Sequence, residues 1–323
     1  MILTVTLNLA VDVTYHIDRV RWHANNRVTS VGRRAGGKGV NVARVLHGLG
    51  REVVVSGLCG GSNGAVARAE MATGGLADAV VSVGGESRTS MVVVPDDGEV
   101  IGFSEPGPQV SDAEWRQFNH RYRELVAQAD IVVLSGSLPP GVPTDAYAQL
   151  TGAARSAGVP VALDASGEAL AQALDAGPEL VKINAEELAD HAPGTDALAG
   201  AEQLRREGAG DVVISSGPAG LLALTDGGAW RVAPPERVHG NPTGAGDAAT
   251  AALVVGMLDG SPWPQRLVDA VALSAAAVHA PLAGSFDAPA YRRYRDEAVA
   301  HRLRGPRLES TKKHDGRRGA TSP

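Results

Sequence analysis

The chain alternates between short apolar runs rich in β-branched residues and longer stretches in which apolar positions recur at helical spacing. Runs of the first kind predict buried strands, and stretches of the second kind predict helices. The predicted strands are residues 2–7, 52–56, 131–134, 159–163, 180–183 and 211–215, and the predicted helices include 40–49, 144–157 and 196–207. Because continuously apolar strands need cover on both faces, this pattern predicts an α/β fold whose mostly parallel central sheet lies between helix layers.

Two segments, at about residues 12–34 and 86–109, interrupt the alternation. Their strands have mixed polar and apolar faces, and Pro95-Asp96-Asp97-Gly98 is typical of a hairpin turn. Strands of this kind do not suit a sheet that is covered on both faces. We therefore predict a small β lid that projects from the central sheet, with ordinary surface hairpins as the alternative.

The last part of the chain, residues 302–323, is rich in Lys and Arg with Pro, Gly and Ser between them. This composition is typical of a disordered basic tail, and a solvated tail is favoured over a polyanion-binding one. Residues 1–301 are left as one folded domain.

Composition and charge limit the function classes. The 323 residues are 44% hydrophobic and 20% charged, and 30 Lys and Arg against 36 Asp and Glu give a net charge of −6. An acidic balance argues against a general nucleic-acid-binding protein. The sequence has neither a signal-peptide pattern at Met1 nor an apolar run long enough to span a membrane. The single cysteine, Cys59, excludes an internal disulfide and suits a reducing compartment, so we expect a cytoplasmic protein.

The strongest motif is Asn241-Pro242-Thr243-Gly244-Ala245-Gly246-Asp247, which is followed by a run of small residues. Thr243 and the two glycines open a helix whose first N–H groups can bind an anion, and glycine lets that anion approach the backbone. Such a site suits a phosphoryl group during transfer, when its oxygens carry the charge. Asp247, in the first helical turn, can accept a proton from an attacking hydroxyl.

Two other interpretations of this motif are weaker. An ordinary helix start explains an acidic residue in the first turn, but it does not explain the glycines before it. Gly244-x-Gly246-x-x-Ala249 also fits the dinucleotide-binding fingerprint, yet no strand leads directly into it. The sequence contains no Walker A motif, which excludes a P-loop kinase.

A second glycine-rich turn, Gly36-Gly37-Lys38-Gly39-Val40-Asn41, runs into a predicted helix near the start of the chain. Its glycines permit a polar ligand to approach closely, and Lys38 and Asn41 supply hydrogen-bond donors. Alone, this turn does not identify a function, because glycine turns before helices are common.

Together, these two motifs resemble the two signature regions of the ribokinase-like (PfkB) family of carbohydrate kinases, and the resemblance covers about residues 1–300. It implies a three-layer α/β/α fold with a β lid over the sugar. It also implies phosphoryl transfer from ATP to an alcohol with Mg²⁺. By this resemblance Asp247 is the catalytic base, and Gly244, Ala245 and Gly246 form the anion hole.

The resemblance assigns further residues. Asp12, at the end of the first strand, matches the aspartate that binds the sugar, and Asn184-Ala185-Glu186-Glu187 matches a motif that positions Mg²⁺ through Asn184 and Glu187. Residues 215–220 match a turn that contacts ATP. The implied ATP-binding residues are Lys182, Asn184, Ser215, Ser216, Gly217, Gly220 and Thr243.

Three segments favour a phosphorylated acceptor, because residues 88–90, 103–108 and 135–141 resemble the branch that contains 1-phosphofructokinase and tagatose-6-phosphate kinase. A phosphate on the acceptor calls for cations in its pocket. The predicted acceptor-binding residues are Asp12, Gly37, Lys38, Asn41, Arg88, Ser137 and Arg27.

The acceptor itself stays open at this point. Leu9 and Ile183 stand where proline is usual in that branch, and Asn25-Asn26 and Ile101-Gly102 also depart from its pattern. Fructose 1-phosphate, fructose 6-phosphate and tagatose 6-phosphate are the leading acceptors. The alternatives are a kinase of a free sugar or nucleoside and a regulator that binds a sugar phosphate without catalysis.

We also expect a homodimer formed through the lid. An isolated hairpin is marginally stable in water, so its apolar face favours pairing with a second copy. The predicted partners are ATP and the sugar substrate, without nucleic acid or membrane.

Overall fold

The structure, a computed structural model, describes residues 1–96 and 100–303. Its central sheet has the strand order β15-β14-β13-β12-β11-β10-β9-β1-β4-β5, and β6 pairs with β4 beyond that path. The strands of this sheet are β1 Ile2–Thr6, β4 Val53–Gly60, β5 Ala77–Asp78, β6 Val81–Val83, β9 Ile131–Ser135, β10 Val161–Asp164, β11 Leu180–Asn184, β12 Asp211–Ser215, β13 Leu221–Thr225, β14 Gly228–Val232 and β15 His301–Leu303.

Helices cover both faces of the sheet. They are α1 Lys38–Gly48, α2 Gly61–Thr73, α3 Asp112–Val126, α4 Ala146–Ser156, α5 Gly167–Leu174, α6 Ala185–His191, α7 Ala197–Arg206, α8 Ala245–Leu258, α9 Trp263–Val278 and α10 Ala288–Glu297, with a 3₁₀ turn at Gly217–Ala219. Alternate residues of β9 enter two different cores. Ile131 and Val133 pack with α1, α8 and α9, whereas Val132 and Leu134 pack with α3, α4, α5 and α7. The three-layer architecture predicted from the continuously apolar strands is therefore confirmed.

A second sheet of four strands, in the order β3-β2-β7-β8, stands beside this core. Its strands are β2 Ala10–Ile17, β3 Ser30–Gly36, β7 Arg88–Pro95 and β8 Ile101–Ser104. β2 runs parallel to β7, while β3 and β8 pair antiparallel at the two edges. These strands correspond to the two predicted lid segments, except that β2 begins and β3 ends two residues outside the first segment, and we call this sheet the lid. The predicted Pro95–Gly98 turn falls partly on residues 97–99, outside the described residues.

The far end of the central sheet contains three strands, β13, β14 and β15, that the sequence analysis did not identify. From β12 onward the neighbours pair antiparallel, and β15 closes this edge against β14. The predicted tail boundary at residue 302 is therefore too early, since residues 302–303 belong to a strand. Arg302 donates to the carbonyl of Gly227 at 2.9 Å and lies over the ring of Trp230, so its charge does not mark the start of the tail. The rest of the predicted tail, 304–323, lies outside the described residues.

In the part of the chain that the structure describes, every helix is too short or too polar to cross a membrane.

Candidate active site

One large cavity, of about 1030 Å³, lies between the lid and the edge of the central sheet at which β11 and β12 end. In an open α/β sheet this is where ligands bind. All but three of the sequence-predicted site residues line it. Those that do are Asp12, Gly37, Lys38, Asn41, Arg88, Lys182, Asn184, Ser215, Ser216, Gly217, Gly220, Thr243, Gly244, Ala245, Gly246 and Asp247.

The glycine turn before α8 forms the middle of the cavity wall. Gly244 is the N-cap residue in a left-handed conformation (φ 85°), and a Cβ there would lie 2.9 Å from the Cβ of Ala283. Both observations require glycine at this position. The N–H of Ala245 donates to the carbonyl of Pro242 at 3.1 Å and that of Ala248 to the carbonyl of Gly244 at 2.9 Å, so the N–H groups of Gly246 and Asp247 are the ones this helix start can offer to an anion.

A lysine lies beside this turn. A Cβ on Gly246 would be 2.8 Å from the Nζ atom of Lys182, which extends from β11. Helix N–H groups and an ammonium group therefore converge on the same space, and both attract an anion. The turn thus has the donor set that a phosphoryl group needs.

Asp247 is buried in the first turn of α8, and its Oδ2 atom accepts a hydrogen bond of 2.9 Å from Nδ2 of Asn41. Burial, followed by the negative charge of Asp164, raises the pKa of Asp247 to about 6. The ammonium groups of Lys38 and Lys182 and the Asn41 hydrogen bond act in the opposite direction. A carboxylate with a pKa in this range can take a proton from a substrate hydroxyl at neutral pH.

Asp164 is a charged residue of the site that the sequence analysis missed. It ends β10 fully buried, and it accepts hydrogen bonds from Lys38 at 2.9 Å, from Lys182 at 3.0 Å and from Thr250 at 3.1 Å. Burial alone would raise the pKa of Asp164, but the two ammonium groups outweigh burial and hold the pKa below its ordinary value. The only sequence signal was an acidic residue directly after the apolar run Val161-Ala162-Leu163.

Lys38 belongs to the same cluster. Its Nζ atom lies 2.9 Å from Asp164 and 3.5 Å from Oε1 of Glu187. The Coulombic attraction of Asp164 is the main reason that the pKa of Lys38 lies above its ordinary value. The ammonium group that was predicted to meet an acceptor phosphate is therefore already paired with two carboxylates.

The lid supplies the other end of the cavity, through Asp12, Arg88, Ser90 and Ser104. Burial, and then the charge of Asp247, raise the pKa of Asp12 to about 6, whereas Arg88 lowers it. The Nε atom of Arg88 donates to the carbonyl of Asn8 at 3.1 Å, which fixes the guanidinium at the cavity. This end combines a carboxylate, a fixed cation and two hydroxyls, which suits a polyhydroxyl ligand with a negative charge.

The opposite end is built from the turn after β12 and from an irregular segment that carries Glu236, Arg237 and His239. Residues 215–220 line it after β12, and Gly220 is a required glycine there, because a Cβ would collide with the carbonyl of Val232. Residues 234–240 and the α9 positions Val271, Ser274 and Ala275 complete the wall. The sequence analysis did not find them, because small residues on a helix and an irregular segment carry no motif.

The structure does not bring Arg27, Ser137 and Glu187 to the wall of the cavity. Arg27 is exposed in the connection between β2 and β3, beyond the last paired residues His16 and Ser30, whereas the cavity lies at the other end of these strands. Ser137 is exposed and accepts a hydrogen bond of 3.2 Å from Nδ2 of Asn8.

Glu187 is used within the chain. Its carboxylate accepts a hydrogen bond from the N–H of Asn184 at 3.1 Å, and the side chain of Asn184 accepts one from the N–H of Glu187 at 2.8 Å. This reciprocal pair is a capping box that starts α6. Glu186, the residue before it, lines the cavity instead.

A family comparison agrees with this geometry. The model of the family described as "pfkB family carbohydrate kinase" matches residues 5–290. The chain belongs to this family. It is therefore a phosphotransferase that uses ATP and an alcohol acceptor, as predicted from the two glycine motifs.

Individual relatives indicate which group of kinases within the family the chain resembles. The chain is 39% identical to a 1-phosphofructokinase of Rhodobacter capsulatus over 262 residues, which cover 78% of this chain and 82% of the relative. A solved structure of a possible 1-phosphofructokinase from Thermotoga maritima is 26% identical, with a TM-score of 0.85 and coverage of 94% of this chain and 99% of the other. The phosphofructokinase-2 of Escherichia coli in complex with fructose-6-phosphate is 29% identical, with a TM-score of 0.82 and coverage of 91% and 98%. The relatives place this protein among the sugar-phosphate kinases of the family.

Proposed function

We propose that this protein transfers the γ-phosphoryl group of ATP to a hydroxyl of fructose 1-phosphate, which gives a bisphosphate. The observation that carries the proposal is the position of Asp247, buried between the lid end of the cavity and the glycine turn. The 39% identity to a 1-phosphofructokinase favours fructose 1-phosphate over the other two ketohexose phosphates.

In this proposal, Asp247 is the base. An acceptor hydroxyl that lies against its carboxylate gives up its proton as the oxygen attacks the γ-phosphorus. Asn41 holds the carboxylate in place through its 2.9 Å hydrogen bond. The N–H groups of Gly246 and Asp247 then stabilise the charge on the transferred phosphoryl oxygens.

Lys182 would contact the phosphates of ATP, and Asp164 holds Lys182 in position. The Nζ atom of Lys182, next to Gly246, is placed to contact a phosphate oxygen of ATP. Asp164 keeps both this lysine and Lys38 in position, because its two oxygens accept one hydrogen bond from each. The pairing neutralises part of the positive charge until the nucleotide brings its own negative charge.

Arg88 is the main cation for the acceptor phosphate in this proposal, with Asp12 as a ligand of sugar hydroxyls. A guanidinium has five N–H donors in a fork that matches a phosphate, and the hydrogen bonds to the carbonyls of Asn8 and Glu105 use two of them. Lys38 is a weaker candidate than the sequence suggested, because Asp164 and Glu187 hold its ammonium group. Arg27 has no role in this pocket.

The carboxylate of Glu187 and the neighbouring Asn184 are the candidates for holding Mg²⁺. Mg²⁺ is usually bound by one or two carboxylates together with substrate phosphates and water. Glu187 does not line the cavity itself, but its Oε1 atom is held only by the 3.5 Å contact with Lys38, which does line it, so this oxygen fits such a role. When bound, the ion would neutralise charge on the ATP phosphates.

We also propose that the lid forms a homodimer contact. Trp22 is 74% exposed and Phe103 is 58% exposed, and together with Tyr15 and Ile17 they border a second cavity of about 600 Å³ on the lid. An apolar surface of this kind on a small sheet favours burial against another protein surface. A second copy of the same lid is the occupant that the symmetry of most oligomers favours.

The test is an ATP-consumption assay with Mg²⁺ and a panel of acceptors. The panel holds fructose 1-phosphate, fructose 6-phosphate, tagatose 6-phosphate, fructose, tagatose, ribose and adenosine. We expect turnover to be highest with fructose 1-phosphate. Turnover confined to the unphosphorylated acceptors would overturn the proposed acceptor and the role given to Arg88.

A matched pair of variants tests the base. Asp247→Asn should lower kcat by about 10²- to 10⁴-fold, the usual contribution of a positioned general base. Asp190→Asn, the same change at an exposed position of α6, should leave kcat unchanged. Comparable turnover by Asp247→Asn and the wild type would remove Asp247 from the mechanism.

A further inference from the structure

The glycine turn at Gly244 is backed by the connection between α9 and α10, and we call residues 281–285 the backing loop. Ala283 of this loop lies so close to Gly244 that a Cβ on the glycine would be 3.0 Å from its Cα. Asn241 links the same two segments, since its Nδ2 donates to the carbonyl of Pro281 at 3.2 Å and its Oδ1 accepts from the N–H of Thr243 at 3.0 Å. The position of the backing loop therefore fixes the position of the turn.

Two contacts join the lid to the backing loop, and Arg34 makes the hydrogen-bonded one. Nη1 of Arg34, in β3, donates to the carbonyl of Ala283 at 2.7 Å and to the hydroxyl of Ser285 at 2.9 Å. Leu282 of the loop packs next to Gly32, two residues earlier in the same strand. Both contacts join a strand of the lid to the segment behind the glycine turn.

Arg34 also adjoins the acceptor end of the cavity. In the antiparallel register of β2 and β3, Arg34 is directly opposite Asp12, so the two side chains share one face of the lid. Burial and the charge of Arg44 lower the pKa of Arg34, whereas Glu70 and Asp12 raise it. Its guanidinium stays charged, and charge-assisted hydrogen bonds are stronger than neutral ones.

We infer that Arg34 is a positioning residue that couples the acceptor site under the lid to the anion-binding turn at Gly244. The coupling runs from Asp12 and β3 through Arg34 to the backing loop and then to the turn. An acceptor that fixes the lid thereby fixes the N–H groups that receive the phosphoryl group. The inference rests on the proposed function, because it takes the lid end as the acceptor site and the turn as the phosphoryl site.

The inference predicts that acceptor and nucleotide bind cooperatively, and that this cooperativity depends on Arg34. Coupling between two sites is a ratio of dissociation constants, and a merely structural residue would weaken both ligands without changing that ratio. The ratio therefore separates a coupling role from a general loss of stability.

The experiment measures the dissociation constant of a non-hydrolysable ATP analogue with Mg²⁺ by calorimetry, with and without saturating fructose 1-phosphate. If another ketohexose phosphate of the panel has a higher kcat/KM, that acceptor replaces it. For the wild type we expect the acceptor to tighten the analogue by about fivefold or more, the lower end of usual coupling. For Arg34→Gln we expect a ratio near one.

Two further variants serve as a control and as a partial-loss comparison for Arg34→Gln. Arg33→Gln removes an exposed arginine from the next position of the same strand and should keep the wild-type ratio. Ser285→Ala removes only one of the two acceptors of Arg34, so it should lower the ratio by less than Arg34→Gln does. It also keeps the inference testable if Arg34→Gln does not fold.

The outcomes distinguish the inference from the function on which it rests. A wild type that turns over no sugar phosphate contradicts the proposed function. A wild type that turns over the acceptor but shows a ratio of one contradicts the inference alone. The same holds if folded Arg34→Gln, or Ser285→Ala where Arg34→Gln does not fold, keeps the full ratio.

Discussion

Lys38 donates to one oxygen of the Asp164 carboxylate at 2.9 Å, which joins the first glycine motif to the end of a strand more than a hundred residues later. Lys182 donates to the other oxygen at 3.0 Å. A fully buried carboxylate between two ammonium groups is stable only as long as all three charges are present. This cluster therefore connects the stability of the fold to the chemistry of the cavity.

Asp164→Asn should destabilise the protein strongly. Removing one partner of a buried ion pair leaves uncompensated charge and costs about 3–5 kcal/mol. We expect the free energy of unfolding at pH 7, measured by urea denaturation, to fall by about that amount. Glu187→Gln is the control, since it removes the longer 3.5 Å contact with Lys38 and should cost less. Equal losses in the two variants would contradict the central place given to Asp164.

The contrast between Asp247 and Asp164 shows how much of the site could be predicted from sequence. Asp247 and its glycines form a local motif, so their proposed role could be inferred from neighbouring residues alone. Asp164 acquires its partners only when three distant segments meet at the sheet edge. The layered fold followed from strand hydrophobicity, which is also a local property.

A comparison of Arg27 with Arg34 shows what could not be predicted from the sequence. Both are arginines of the same predicted lid segment, and sequence alone gave no reason to prefer one. The register of β2 and β3 decides the matter, because it places Arg34 opposite Asp12 and carries Arg27 beyond the paired residues. Strand register depends on packing between segments, so a single motif does not reveal it.

The activity should depend on pH through Asp247. Because the pKa of this residue is raised to about 6, the carboxylate form is lost as the pH falls through 6. We expect kcat/KM to be level near pH 7 to 8 and to fall about tenfold per pH unit well below pH 6. A phosphate acceptor also titrates near this pH.

Asn41→Ala separates these two titrations. The Asn41 hydrogen bond lowers the pKa of Asp247, so its loss should move the acid limb of the profile to higher pH. The pKa of the acceptor phosphate in solution is the same for both proteins. An acid limb that does not move in Asn41→Ala would rule out Asp247 and assign the limb to the substrate or to Asp12, whose pKa is also raised to about 6.

Asp247→Asn should stabilise the fold at pH 7 while it lowers activity. In the folded protein the pKa of Asp247 rises from its ordinary value of 3.8 to about 6, so the stability present below pH 4 is lost as the pH rises through 6. At pH 7 this loss amounts to at most about 3 kcal/mol, at 1.36 kcal/mol per pKa unit. Thermal unfolding should show a higher midpoint for the variant at pH 7 and a smaller difference at pH 4.5.

Gly244→Ala should impair both stability and phosphoryl transfer. The new Cβ would meet Ala283 at 2.9 Å in addition to the strain of a left-handed backbone. Gly260→Ala is the matched control, since Gly260 also has a positive φ of 64° but no atom lies within 4 Å of its Cβ position. The control should lose about 1–2 kcal/mol from backbone strain alone. We expect a larger loss in Gly244→Ala, together with a fall in kcat that the control does not show.

The lid contact predicts that a charge on its exposed face dissociates the dimer. Phe103→Asp places a carboxylate among Trp22, Tyr15 and Ile17, and burying an unpaired charge in an interface is strongly unfavourable. Light scattering at micromolar concentration should give a dimer for the wild type and a monomer for this variant. Val66→Asp, at a 53% exposed position of α2 outside the lid, should remain a dimer. A wild-type monomer would refute the dimer, and a dimer that survives in Phe103→Asp would place the contact elsewhere on the surface.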